Sequence, residues 1–94
     1  GVSAARRVLL VEDSALAAAL LALLLDVAGY AVDVVGTVAD AIARGAGVDA
    51  PYDALLLDLT LPDGDGLAVA RALADAGTLP AATLALTGHD DAAT

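Results

Sequence analysis

Short apolar runs alternate along this chain with longer stretches of helical period. Val8 to Val11, Val32 to Val35, Ala54 to Leu57 and Thr83 to Leu86 are rich in Val and Leu, and each ends at a polar or turn-forming group: Glu12-Asp13, Gly36-Thr37, Asp58 and Thr87-Gly88. Largely continuous apolarity, rather than strict alternation, predicts strands covered on both faces, as in a parallel sheet. Between them, Ser14 to Ala28 predicts a helix with Asp13 or Ser14 as its cap and Gly29 as its stop. A second helix is expected over Val38 to Arg44, capped by Thr37 and broken by Gly45 and Gly47, with a loop from Gly45 to Pro51. A third starts at Gly66 or Leu67 and runs to Ala76, where Gly77 and Pro80 end it. Strand and helix in alternation predict an α/β fold of βαβ units in one domain spanning residues 1–94.

The first helix is apolar on two sides. Leu16, Leu20, Leu23 and Val27 share a stripe, with Leu24 at its flank; Ser14, Ala18, Leu21 and Leu25 lie opposite, small or apolar where solvent-facing charge is usual. That second face is either a partner-facing surface or two ordinary exposed leucines on a helix.

Composition narrows the chemistry. The chain is 60% hydrophobic and 2% aromatic, so its core is built from Ala, Leu and Val. Thirteen acids against four bases give a net charge of −9, which disfavours nucleic acid and anionic membrane surfaces as partners. All four bases are arginines (Arg6, Arg7, Arg44, Arg71), so neither a Schiff-base lysine nor a Walker-type phosphate loop is available. Without cysteine there is no disulfide, thiolate metal site or redox motif. Arg6-Arg7 before the apolar Ala15 to Leu25 suggests a signal peptide. Glu12 and Asp13 interrupt that pattern, however, and the apolar run is far short of the ~20 residues of a membrane span.

In an open parallel sheet, ligands bind beyond the carboxyl ends of the strands, where the strand order reverses. That rule gathers Glu12, Asp13, Asp58 and Thr87 at one edge. Carboxylates and a hydroxyl without thiols or a histidine cluster suit a hard cation, Mg²⁺ or Mn²⁺. Asp63-Gly64-Asp65-Gly66 hints at a calcium loop, but the twelve-residue ligand pattern and its terminal Glu are missing, so the segment is expected to be a tight turn that serves as scaffold.

Three segments then carry a resemblance: Val8-Leu9-Leu10-Val11-Glu12-Asp13-Ser14, Asp58-Leu59-Thr60-Leu61-Pro62-Asp63-Gly64-Asp65-Gly66-Leu67, and Ala85-Leu86-Thr87-Gly88. In this order and spacing they resemble the signature segments of response-regulator receiver domains, over roughly Arg7 to Asp90. The resemblance implies a flavodoxin-like (CheY-like) doubly wound sheet of order 2-1-3-4 in a three-layer α/β/α arrangement. It implies that Asp58 accepts a phosphoryl group from a sensor histidine kinase or histidine phosphotransferase. Asp13, Asp58 and the main-chain carbonyl of Thr60 would hold the cation, with Glu12 acting mostly through water. Thr87 would contact the phosphoryl group as the switch, and Thr60 and His89 occupy positions that tune its loss. Such a module is a cytoplasmic phosphoacceptor that assists its own phosphorylation and dephosphorylation rather than a turnover enzyme. Asp58-Leu59-Thr60 also lacks the paired aspartates of haloacid-dehalogenase phosphatases.

The sequence departs from the family in having no fifth strand, no lysine on it and no closing helix. Termination inside a candidate helix favours a fragment over a natural short form. Without a fifth strand, Thr83 to Leu86 is expected to be an open sheet edge able to pair with a second copy. The competing reading is a pseudo-receiver, a protein-interaction module that is not phosphorylated.

Overall fold

Runs of Val and Leu leave the backbone little choice but to pair, and here they pair in parallel. In the computed structural model, which describes residues 5–47 and 52–86, the strands are β1 (Arg7–Val11), β2 (Ala31–Val35), β3 (Ala54–Asp58), β4 (Thr60–Leu61), β5 (Gly64–Asp65) and β6 (Ala82–Leu86). The helices are α1 (Ala15–Val27), α2 (Val38–Ala46) and α3 (Leu67–Ala76). The main sheet has the order β2-β1-β3-β6, all parallel, while β4 and β5 form a separate two-stranded antiparallel ribbon. The four long strands therefore follow the expected order, and the ribbon is an insertion between the third of them and α3.

Register divides the side chains between the two faces of the sheet. Leu9 pairs with Leu55 and Val11 with Leu57, and this face joins Val35, Ala41 of α2, and Val69 and Leu73 of α3 in one buried cluster. The alternate residues Val8 and Leu10 are also buried, on the face where α1 packs across β1 and β2. The order of connection reverses between β1 and β3, since β1 leads outward to β2 and β2 crosses back to β3.

The structure corrects the reading of α1. Ala18 is buried and Leu21 and Leu25 are half-buried, so the face assigned to partners turns inward, with only Ser14 of that set exposed. The stripe of Leu16, Leu20, Leu23 and Val27 faces out, together with Leu24; Leu16 is 82% exposed and Val27 78%. The physical reason is the small side chain of Ala18, which lets the helix axis approach the sheet more closely than a leucine stripe would.

A second correction concerns Gly45, which does not break α2. The helix continues to Ala46, and Gly45 is buried where α2 meets α3: a Cβ there would lie 2.8 Å from both terminal methyls of Leu73. The missing side chain serves a close helix approach, which outweighs its cost in helix propensity.

Toward the amino ends of the strands, polar groups converge on Asp33. The Tyr52 hydroxyl donates to Asp33 Oδ2 at 2.5 Å, Arg44 and Arg7 approach the same oxygen at 3.4 and 3.6 Å, and the Arg7 guanidinium stands 4.5 Å above the Tyr52 ring. Tyr52 is only 4% exposed. At the sheet margin, β6 is an edge strand among the described residues, and its Leu84 is 62% exposed.

The orientation of α1 yields a test by urea unfolding. Leu16→Gln should change stability by no more than about 0.5 kcal/mol, whereas Ala18→Leu should cost about 1–3 kcal/mol by overpacking. The reverse ranking would restore the face read from the sequence.

Candidate functional site

The carboxyl ends of β1 and β3 lie side by side at the point where the strand order reverses, and each delivers acid. Glu12 and Asp13 follow β1, and Asp58 ends β3. One carboxylate oxygen from each lies within 4.8 Å of the others. Asp58 is 6% exposed, Glu12 half-buried and Asp13 exposed, so the cluster spans from the sheet edge to solvent.

Local hydrogen bonds fix two of the three. Asp58 Oδ1 accepts the Thr60 amide at 2.9 Å, which sets the carboxylate's rotation and ties the start of the ribbon to it. Glu12 Oε2 accepts the Ser14 amide at 3.0 Å, and the Glu12 amide donates to the Val35 carbonyl at 2.9 Å. Ser14, rather than Asp13, caps α1: its hydroxyl accepts from the Ala17 amide at 3.3 Å. Asp13 is thereby left free of the capping role.

The electrostatics follow from this crowding. Burial raises the Glu12 carboxyl above its ordinary value, and the charges of Asp58 and Asp13 push in the same direction against the Ser14 amide, which lowers it. The ion pairs found among the described residues join Arg7 and Arg44 to Asp33 and lie away from the site. An all-oxygen donor set of concentrated negative charge fits a hard divalent cation.

The ribbon after Asp58 is held at three points. Gly66 lies against the strand end so closely that a Cβ would sit 2.2 Å from the Asp58 carbonyl oxygen, and its amide donates to the Leu59 carbonyl at 3.0 Å. Asp65 Oδ1 accepts the Leu67 amide at 2.9 Å at the start of α3. Asp63 reaches across to α2, where Oδ1 accepts the Val38 amide at 2.7 Å and Oδ2 the Ala39 amide at 3.1 Å. These two donors hold its carboxyl below the usual value.

The structure thus brings together Glu12, Asp13, Asp58 and the Thr60 end of the ribbon. Thr87 and His89 lie outside the described residues. Sequence reasoning treated Asp63 as part of a local turn, which Gly64 supports with its φ of 154°. It missed the link to α2 because the two amides are 24 and 25 residues away and carry no sequence signature of their own.

A doubly wound parallel sheet with an acidic cluster at its topological switch point defines a class of α/β proteins that bind ligands at that edge. The response regulator receiver domain family model matches residues 8–94, and the chain belongs to that family. It is 34% identical over 84 residues to the transcriptional regulatory protein ResD of Bacillus subtilis (strain 168), covering 89% of this chain and 34% of ResD. Among solved structures, it resembles the CheY-like receiver domain from Methylobacillus flagellatus, with a TM-score of 0.79 and 31% identity over 92% of this chain and 72% of that one. It also resembles the receiver domain of the sensor histidine kinase PA1611 from Pseudomonas aeruginosa PAO1, with a TM-score of 0.78 and 30% identity over 89% of this chain and 68% of that one. The PA1611 structure holds a magnesium ion coordinated in its active site cleft. The chain spans about a third of the length of ResD.

Two outcomes follow from the site. Burial holds the Glu12 carboxyl above its ordinary 4.5 in the fold, so its ionisation penalty is absent below that pH, grows as pH rises from there toward the raised folded value, and is complete above it. Glu12→Gln should therefore stabilise the metal-free protein at pH 7, a gain that disappears in thermal melts below about pH 4.5. Gly66→Ala should cost about 3 kcal/mol or more, because the new methyl meets backbone that cannot rotate away; urea midpoints equal to the parent's would refute that packing.

Proposed function

We propose that this chain is the phosphoacceptor module of a two-component signalling system, with Asp58 as the residue that takes the phosphoryl group. The observation that carries this reading is the meeting of Glu12, Asp13 and Asp58 within 4.8 Å, in a member of the receiver family. Asp13, Asp58 and the Thr60 main-chain carbonyl would hold Mg²⁺ or Mn²⁺, with Glu12 acting mainly through water. The bound cation supplies neutralisation of the charge that three carboxylates and a phosphoryl group bring together.

The chain's own residues prepare the acceptor. Burial and the Thr60 amide hold the Asp58 carboxylate in one orientation, which favours in-line approach of a phosphoryl donor. A carboxylate oxygen of Asp58 attacks phosphorus as the phosphorus–nitrogen bond of a phosphohistidine breaks, and the bonding pair stays on the imidazole nitrogen. The products are an acyl phosphate and a free histidine on the donor, a sensor histidine kinase or a histidine phosphotransferase. By the family resemblance, Thr87 would donate to a phosphoryl oxygen, and Thr60 and His89 would tune how fast the group is lost. The chain acts as an acceptor, not as an enzyme that turns over an outside substrate.

This reading places the protein in the cytoplasm beside its kinase. Among the described residues, no helix is long and apolar enough to cross a membrane. The net charge of −9 directs binding toward protein rather than nucleic acid.

Incubation with acetyl phosphate and Mg²⁺, followed by intact mass measurement, tests the proposal. One phosphate should be gained, and the gain should be lost in Asp58→Asn and when the cation is chelated. Cation binding without any adduct would support the pseudo-receiver instead.

A further inference from the structure

The amino end of a helix leaves four backbone amides without partners, and α2 meets that need from two directions. Thr37 Oγ1 accepts the Asp40 amide at 3.0 Å, which is ordinary local capping. The Val38 and Ala39 amides donate instead to Asp63, which belongs to the turn between β4 and β5. A carboxylate sharing its two oxygens between two adjacent amides at a helix amino end is a charge-assisted, dipole-favoured contact.

The two segments joined by this contact each touch a different part of the acidic cluster. The ribbon begins at Thr60, whose amide is bound to Asp58 Oδ1. The β2–α2 junction lies against the Glu12–Asp13 segment: a Cβ at Gly36 would stand 3.7 Å from Asp13 Cα and 3.8 Å from the Glu12 carbonyl oxygen. Asp63 therefore closes a bracket that runs from Asp58 through the ribbon to α2 and back to Glu12 and Asp13.

We propose that Asp63 is a positioning residue for the cation site, fixing the distance between the Thr60 end of the ribbon and the Glu12–Asp13 segment and so setting the affinity for a divalent cation. The inference rests on the cation site proposed above and assigns Asp63 no contact with the ion. Its carboxylate is committed to Val38 and Ala39, and it acts through the backbone it holds, as outer-shell groups act on a metal site.

Isothermal titration of the chain with Mg²⁺ tests this on four proteins: the parent, Asp63→Ala, Asp63→Asn and Thr37→Ala. Asp63→Ala should weaken binding about 10-fold. Asp63→Asn should fall between it and the parent, because the amide side chain retains one acceptor oxygen. Thr37→Ala removes a cap from the same helix without touching the ribbon and should bind Mg²⁺ as the parent does. Amide exchange at Val38 and Ala39 should quicken in Asp63→Ala, reporting the lost contact independently of the ion. Parent-like Mg²⁺ affinity in both Asp63 variants would overturn the inference, as would equal weakening in Thr37→Ala. A parent protein that binds no Mg²⁺ would overturn the proposed cation site and this inference with it.

Discussion

Three carboxylates held together at one sheet edge are the constraint around which this fold is organised. Left alone, such a cluster repels itself, and at Glu12 that repulsion adds to the larger effect of burial in raising the carboxyl above its ordinary value. The surroundings meet that repulsion with directed hydrogen bonds: the Thr60 amide on Asp58 and the Ser14 amide on Glu12. The cations of the described strands and of α2 are engaged elsewhere, on Asp33. What the described residues gather at the switch point is concentrated negative charge, a donor set that fits a hard divalent cation.

Much of this is legible in the sequence. The four apolar runs are strands, and the acids that follow the first and third of them converge because parallel strands present equivalent ends on one side. Periodicity served less well in α1, where eight of thirteen residues from Ala15 to Val27 are not alanine and all but Asp26 of those are Leu or Val. When nearly every position is apolar, no stripe stands out, and the buried face is selected by how closely the backbone can approach the sheet; Ala18 decides it.

Gly45 and Asp63 escaped for a related reason. Glycine after a helical run suggests a stop, but at Gly45 the determining atoms are the methyls of Leu73, 28 positions further along the chain. Aspartate beside Pro and Gly suggests a turn, and Asp63 does sit in one; its carboxylate nevertheless serves a helix that precedes it by more than twenty residues. Both roles depend on tertiary proximity, which composition and spacing do not encode.

The buried phenol of Tyr52 has a practical consequence of another kind. The chain has no tryptophan and only two tyrosines, and Tyr30 is partly open to solvent, so Tyr52 is its one well-shielded intrinsic chromophore. It sits just before β3, whereas the acidic cluster lies at that strand's far end, about 20 Å away at the rise of an extended chain. Its ultraviolet signal therefore follows the integrity of the sheet and the Asp33 network, and it is nearly blind to events at the cluster. A spectroscopic view of the site needs a reporter placed on its own side of the sheet.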